Sequence, residues 1–505
     1  MEETVYFGIL SLIPPILAVA LAFATKNVVV SLLVSLFTGC WIIAGWNPWL
    51  GLQGMFSEHL FVDMTGSSNA QTIIMMSFVG GFVALIERTG GARAFASSIA
   101  NKVHSRTTAQ VVNWLGGLAI FFSDSGNSLI LGPIFRPIMD KLHVSRAKLS
   151  YILDSTSSPI CILIPVTGWG VYIMGIIASE YENLGIDGSD IGTFMQAIPF
   201  QFYAILALIL VPIVALGKRD FGPMAKAEMY ALKNGPTPDE LAGEELEAPE
   251  ENGKATAIDM ILPLIVLFAV IFIMFFSWGF PTQNVPGSKI RIALTSGYFL
   301  ASICIGIMAM RKKILTFTEL VETFVDGVKR MAGILVIIIL AWGVGSVCSQ
   351  MGTAQFIVDS TTGILSPKLV PALIFLIGAV ISFVTGTSWG TMAILLPLGI
   401  GMANAFGIGI PLTIAAVLSG SLFGDHCAPI SDTTVMSSMA GGCNHINHVR
   451  TQLPYALLAA CASFVAYLIV GFAGIGAGVG VVIAVVILVV FYVLASRLWG
   501  QKIEE

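Results

Sequence analysis

The chain has 505 residues, is 56% hydrophobic and only 11% charged, and carries a formal net charge of −5. Soluble domains average about 25% charged residues, so this is the composition of a polytopic membrane protein, with no soluble catalytic domain and no nucleic-acid patch. Its seven cysteines, an odd number with no Cys-x-x-Cys pair, argue against a disulfide framework or a structural zinc site, and Cys427 beside His426 is weak ground for a soft metal.

In chain order, Tyr6–Phe23 and Val28–Trp46 read as the first two spans, and the acidic start argues for a retained first span rather than a cleaved signal peptide. Asn47–Ala70 reads as a loop with Glu58 and Asp63, and Gln71–Ile86 as a third span. A basic connector follows, with Arg88, Arg93, Lys102 and Arg106. Thr108–Asp140 is apolar but interrupted by Ser123-Asp-Ser-Gly-Asn-Ser128. A second basic connector carries Arg136, Lys141, Arg146 and Lys148. Leu149–Ser179 is interrupted by Asp154-Ser-Thr-Ser-Ser-Pro159, and the next loop is acidic, with Glu180, Glu182, Asp187 and Asp190. Gln196–Leu216 is a span. Lys218–Ala257 is polar and reads as a mobile linker with some helix. Ile258–Trp278 and Ile290–Met310 are spans. Thr316–Arg330 has the mixed pattern of a helix on a membrane surface, and Met331–Ser349 is a span. Leu369–Met402 is interrupted by Thr385-Gly-Thr-Ser-Trp-Gly-Thr391. The stretch from Leu412 to Met439 holds Asp425, His426, Pro429 and Asp432 at its centre. Leu453–Phe472 and Val481–Ala495 close the chain.

Basic connectors lie on the cytoplasmic side. Two successive basic connectors flank Thr108–Asp140, so that segment goes in and comes back, as two short spans or as a re-entrant hairpin with its tip near Asp124. Counting onward gives an all-α protein of 11 spans plus two hairpins entering from opposite faces, N-terminus outside and C-terminus cytoplasmic. The implied location is the inner membrane of a prokaryote. The chain then divides into a first half, 1–216, with a hairpin near 108–140 and a broken helix at 149–179; a cytoplasmic linker, 217–257; a second half, 258–452, with a hairpin near 369–402 and a broken helix at 412–439; and C-terminal helices, 453–505. Short self-matches accompany this layout. Gly91-Ala-Arg-Ala-Phe95 is echoed by Gly352-Thr-Ala-Gln-Phe356, the tip Phe122–Ser128 by Phe383–Gly390, and Asp154…Pro159 by Asp425…Pro429. Inverted repeats with broken helices that meet at a midplane site are a signature of secondary transporters.

Carboxylates at the bilayer centre cost about 2.5–3.5 kcal/mol each on insertion scales, so a span that keeps Asp425 and Asp432 is using them, unless Asp432 lies near the surface and Asp425 caps a half-helix. Pro429 cannot donate a backbone N–H, so the carbonyl of Asp425 loses its helical partner and lies beside its own carboxylate. Asp124 faces the site if the first hairpin tip reaches the midplane, and is an ordinary loop residue otherwise. Asp154 is either a ligand or the partner of Arg146 or Lys148. Ser125, Asn127, Ser155, Thr156 and Ser157 at the first breaks, and Thr385, Thr387, Ser388, Ser431 and Thr433 at the second, supply oxygens of the hard type that sodium accepts; single hydroxyls in membrane helices also bond the preceding turn. His426 can titrate near neutral pH, to carry an exchanged proton or to orient Asp425. Trp169, Trp342 and Trp389 either line a pocket for an organic substrate or sit at the membrane interfaces.

Gly424-Asp-His-Cys-Ala-Pro-Ile-Ser-Asp-Thr-Thr434 resembles the late motif of the NhaC-type sodium/proton antiporter family, and Phe122-Ser-Asp-Ser-Gly-Asn127 and Asp154–Pro165 resemble its earlier motifs. The resemblance runs from about Gln71 to Pro454. It implies a secondary transporter rather than an enzyme, with no cofactor beyond sodium as the coupling or transported ion; the residues themselves point to Asp425 and Asp124 as the ligands of that ion. Its wider superfamily implies paired hairpins, a homodimer and an elevator-like motion. The family also holds malate/lactate antiporters and amino-acid carriers. A sodium/proton antiporter is therefore the leading expectation, and a sodium- or proton-coupled carrier of a small organic solute the alternative. A channel is a third class, which inverted repeats disfavour. No Gly-x-x-x-x-Gly-Lys-Ser/Thr loop is present for an ATP-driven pump.

Overall fold

The computed structural model describes residues 7–242, 253–280, 285–361 and 365–503. Among these, 10 helices are long and apolar enough to cross a bilayer, or up to 12 if each of two bent pairs forms one span. The protein is thus a polytopic all-α membrane protein, with a single two-stranded ladder as its β-structure among the described residues.

Residues 47–70 are helical, not a loop. Asn47 accepts the backbone N–H groups of Trp49 and Leu50 and Pro48 opens the helix, a start signal that the polar residues downstream masked. The helix Pro48–Gly54 continues through a π-helical turn, Met55–Leu60, into Phe61–Thr65, folded back by 115° on the span Val28–Ile43. The next span, Ser67–Thr89, outruns its expected bounds at both ends and stops at Gly90, whose φ of 79° is the left-handed conformation that glycine tolerates.

The first hairpin consists of Arg106–Ala119 and Asp124–Lys141, opened by Ser105 and Ser123 as N-caps. The Arg106 guanidinium donates to the carbonyls of Leu142 and His143, so the start of one arm and the end of the other lie on the same side, as the basic connectors require. The second pair is Val370–Thr385 and Ser388–Phe406, turned by Gly386 at φ 69°. Its 19-residue second helix measures about 28 Å, so each arm is long enough to cross unaided. The first break falls between Arg146–Ser155 and the short turn Ser158–Cys161, before the helix Gly168–Leu184. The second falls between Ile410–Cys427 and Asp432–Gly441. Val370–Thr385 packs closely on Ile410–Cys427, where the Ser382 hydroxyl donates to the Gly420 carbonyl (3.0 Å) and accepts the Gly424 N–H (2.9 Å).

Two polar segments are more ordered than expected. The linker is not a mobile tether over its first part. Arg219–Phe221 pairs antiparallel with Gly500–Lys502, and the following helix, Gly222–Asn234, buries Met224, Ala225, Glu228 and Ala231, a one-sided stripe that the charged residues between them hid. Arg106 pairs with Glu228 at 2.6 Å, and Lys148 pairs with Asp220. The middle of the linker, 243–252, and the acidic N-terminal residues lie outside the described residues. Phe317–Arg330 is not a lone surface helix: it runs into the span Ala332–Gln350 and packs along Ser67–Thr89, with Gly327 against Gly80 and Arg330 3.1 Å from Glu87.

The orientation itself is open to test. In a cysteine-free background, single cysteines at the exposed Asp187 and Lys226 should label from opposite sides of the membrane with an impermeant thiol reagent, Asp187 from outside. Labelling of both from one side overturns the charge-derived topology.

A buried polar centre between two broken helices

The two breaks meet. The Asp425 side chain is 3% exposed, and both of its carboxylate oxygens accept hydroxyls: Oδ2 from Ser158 and Oδ1 from Ser431, each at 2.9 Å. One hydroxyl comes from each broken helix, so the carboxylate ties the two together. Among the described residues no lysine or arginine pairs with it. The Asp425 carbonyl does lack a backbone partner, because Pro429 stands four residues on, but it is not free: Thr433 and Thr434 donate to it at 3.3 and 3.1 Å. Hydroxyls from the second half-helix thus replace the lost helical bond, as non-helical backbone at membrane depth demands. A hydroxyl that donates to a carboxylate keeps its own lone pairs. The centre therefore concentrates oxygens from Asp425, Ser158, Ser431 and Thr433 in one small volume.

Asp124 sits half-buried at the first hairpin tip. Its Oδ1 accepts the Ser125 N–H (2.7 Å), its Oδ2 accepts the Trp169 indole N–H (3.1 Å), and its carbonyl accepts the Ser157 hydroxyl (2.6 Å). Asp432 opens the half-helix beyond the second break and is exposed, as are Pro429 and Ile430. Asp124 and Asp432 lie within electrostatic reach of one another and of Asp425, so three carboxylates are grouped here.

Several expected ligands have other tasks. Asp154 pairs with neither Arg146, which binds Asp140, nor Lys148, which binds Asp220. It accepts the Gln452 amide at 2.7 Å and, at 3.4 Å, the Ser437 hydroxyl. His426 does not orient Asp425. Successive helical residues point about 100° apart, and its ring turns to Ser155 (3.0 Å) and Tyr203 (2.8 Å), one partner per nitrogen. Asn127 staples the first hairpin to its break, donating to the carbonyls of Gly117 and Thr156. The hydroxyls of Thr156 and Thr385 bond their own helices. Ser388 donates to the Ser421 carbonyl at 3.0 Å, fixing the second tip to the Asp425 helix without reaching the carboxylate. Thr387 is the N-cap residue of its helix and makes no capping side-chain bond. Trp169 and Trp389 lie together: their rings are 4.5 Å apart, and the Tyr172 hydroxyl donates to the Trp389 carbonyl. Trp342 is packed away, its indole bonded to the Gly175 carbonyl.

Residues 160–472 match the Na+/H+ antiporter family, a stretch that contains Asp425, its partner Ser431 and the second hairpin and begins two residues after Ser158. The chain belongs to the Na+/H+ antiporter family. This antiporter-family protein is 33% identical over 479 residues to an uncharacterized protein of Haemophilus influenzae, covering 92% of this chain and 91% of that one. A malate-2H(+)/Na(+)-lactate antiporter of Bacillus subtilis is 33% identical over 108 residues, 21% of this chain and 23% of its own length. The YdaH transporter of Alcanivorax borkumensis has the same fold, with a TM-score of 0.63 at 15% identity over 85% of this chain and 90% of that one. The protein is accordingly a secondary transporter.

Sequence reasoning missed four residues of the centre in this family member. Gln452 stands just before the apolar run Leu453–Phe472, after polar residues that hide it, yet lies inside the helix His445–Ala473; besides Asp154 it donates to the His426 carbonyl. Glu87, which accepts the Ser123 hydroxyl at 2.7 Å, is hidden in sequence by its neighbour Arg88 at the start of the basic connector. Thr434 was passed over beside Thr433. Tyr203 gives no signal in an apolar helix.

Proposed function

We propose that this protein is a sodium/proton antiporter whose transported sodium ion binds at Asp425. One observation carries the reading: a buried carboxylate, free of cationic partners among the described residues, is bonded by one serine from each broken helix. Hard oxygens suit sodium as they suit other hard cations. Sodium favours the ionised carboxylate, and a proton neutralises it, so the two exchange at one group and are coupled without meeting. Asp124 and Asp432 hold the approach negative. The family resemblance adds a homodimer, an elevator-like motion and a place in a prokaryotic cytoplasmic membrane. An inverted repeat is supported by parallel entries to the two hairpins: a left-handed glycine, Gly90 or Gly352, followed by a short helix, Gly91–Ala100 or Thr353–Thr361.

A second reading, a coupled carrier of a small organic carboxylate, is favoured by the Trp169–Trp389–Tyr172 cluster beside Asp124 and by the name of the Bacillus relative. Purified protein in sealed liposomes separates the two. Under the first reading, an outward sodium gradient alone drives protons inward, and internal pH falls. If pH moves only when malate, lactate or an amino acid is added, the carrier reading replaces it.

A further inference from the structure

Glu180 stands in sequence beside the loop acids Glu182, Asp187 and Asp190, yet it lies inside the helix Gly168–Leu184 and is 2% exposed. It forms part of the wall of a cavity of about 360 Å³, shared with Gly345, Ser349, Pro397, Gly401 and Asn404. Its one hydrogen bond among the described residues is a long one, 3.4 Å from the Asn183 amide. Gly345 makes room for it: a Cβ there would stand 3.0 Å from the Glu180 carboxyl carbon. The titratable groups that face it are few. On the adjoining bent segment this is Asp63, and on Ala332–Gln350 the thiol of Cys348; Glu182, two residues on, points away on the exposed side of the helix. Ser388–Phe406 brings the amide of Asn404 to the cavity and no charged side chain. No lysine or arginine among the described residues neutralises Glu180.

The cavity and the polar centre are the two ends of one seam. Trp169, Tyr172, Ile176 and Glu180 recur at intervals of three and four, which places them on one face of their helix. At one end of that face Trp169 binds Asp124 and packs against Trp389; about 16 Å further along, Glu180 meets the cavity. The facing helix, Ser388–Phe406, follows the same course, from Trp389 beside the centre to Pro397, Gly401 and Asn404 at the cavity.

We propose that Glu180 is a protonation site on the proton's route between this cavity and the Asp124–Asp425 centre, separate from the sodium site. The inference rests on the antiport reading for its role and on the cavity for its location. The step is a simple one: the carboxylate takes a proton from cavity water and gives it up along the seam, with no bond to the cargo.

Two measurements on the full-length protein test it. In liposomes, Glu180→Gln should cut sodium-driven proton flux at least tenfold while tracer sodium–sodium exchange stays within twofold of wild type, and Glu180→Asp should retain flux with a displaced pH profile. In pH-jump infrared difference spectra, wild type should show a protonated-carboxyl band that Glu180→Gln removes. Wild-type proton flux in Glu180→Gln overturns the proposal. So does a spectrum that the substitution leaves unchanged. If wild type itself moves no protons against sodium, the antiport reading fails, and the infrared band still decides whether Glu180 takes up a proton.

Discussion

Asp425→Asn should abolish sodium-dependent transport while leaving the protein folded and in the membrane. The amide has the shape of the carboxylate; its oxygen can accept one of the two serine hydroxyls, and its NH2 can donate to the other hydroxyl oxygen. It cannot supply charge. A unit charge about 4 Å from a cation is worth about 4 kcal/mol at an effective dielectric constant near 20, or roughly a thousandfold in sodium affinity. Sodium–sodium exchange, which needs no proton, should be lost together with antiport; this sets Asp425→Asn apart from Glu180→Gln. Asp425→Glu keeps the charge but pushes it into the Ser158–Ser431 pair, so weak activity with a displaced pH optimum is expected. Tracer sodium uptake against sodium concentration, in liposomes with matched protein content, measures both. Wild-type affinity and rate in the Asn variant would remove Asp425 from the sodium site and leave Asp124 as the remaining candidate.

Single-residue replacements at the two serines should be graded, not absolute. Ser158→Ala removes the link from the first broken helix and Ser431→Ala that from the second. Each loses one hydrogen bond to a charged group, about 1.5–3 kcal/mol, so sodium affinity should fall about 10- to 150-fold in either. If only one substitution has an effect, the site belongs to one broken helix, and the cross-tie is packing.

The legible part of this protein was the part in which polarity contradicts its surroundings. Asp425, Asp124 and the serines around Pro159 and Pro429 stand out because nothing polar belongs in an apolar span without a partner or a task. The partners themselves were less legible, because a sequence shows which residues need satisfying and not which distant chain segment does so. Gln452 is nearly 300 residues from Asp154, which it binds. His426 follows Asp425 in sequence yet faces Tyr203, because a helix separates neighbours by angle. Glu180 was misread for the opposite reason: it stands beside loop acids, and only the packing of Gly345 and Pro397 against it reveals an interior position. The linker shows the same limit. Its charge suggested solvent, whereas Asp220 and Glu228 are buried because Lys148 and Arg106 wait at the bases of the first broken helix and the first hairpin.

Those buried pairs give the largest expected effect on stability. Lys148 and Asp220 have side chains 1% and 6% exposed; the Tyr455 hydroxyl donates to Asp220 at 2.7 Å, and the Phe221 N–H donates to Tyr455. Lys148 also lies over the rings of Tyr151 and Tyr455. Lys148→Met keeps the aliphatic bulk and leaves Asp220 buried without its cation, a change that costs about 3–5 kcal/mol. It also bears on Glu228, whose carboxyl is pushed up by burial and by Asp220 and is pulled down by Lys148 and Arg106; with Lys148 gone, Glu228 loses one of the two cations that hold it charged. Removing both charges is a milder change than removing one, because no uncompensated ion remains. The double variant Lys148→Met, Asp220→Leu should therefore recover most of the loss. Thermal unfolding in detergent at fixed scan rate, with all four members of the cycle, reads the coupling. A single variant as stable as wild type, or a double variant no better than the single, would mean that the linker is held by its strand pairing with Gly500–Lys502 and not by the ions. Because these pairs tie the linker to both the hairpin and the broken helix that build the Asp425 centre, the single variant should also slow transport in the fraction that stays folded, and the double variant should restore it in parallel with stability.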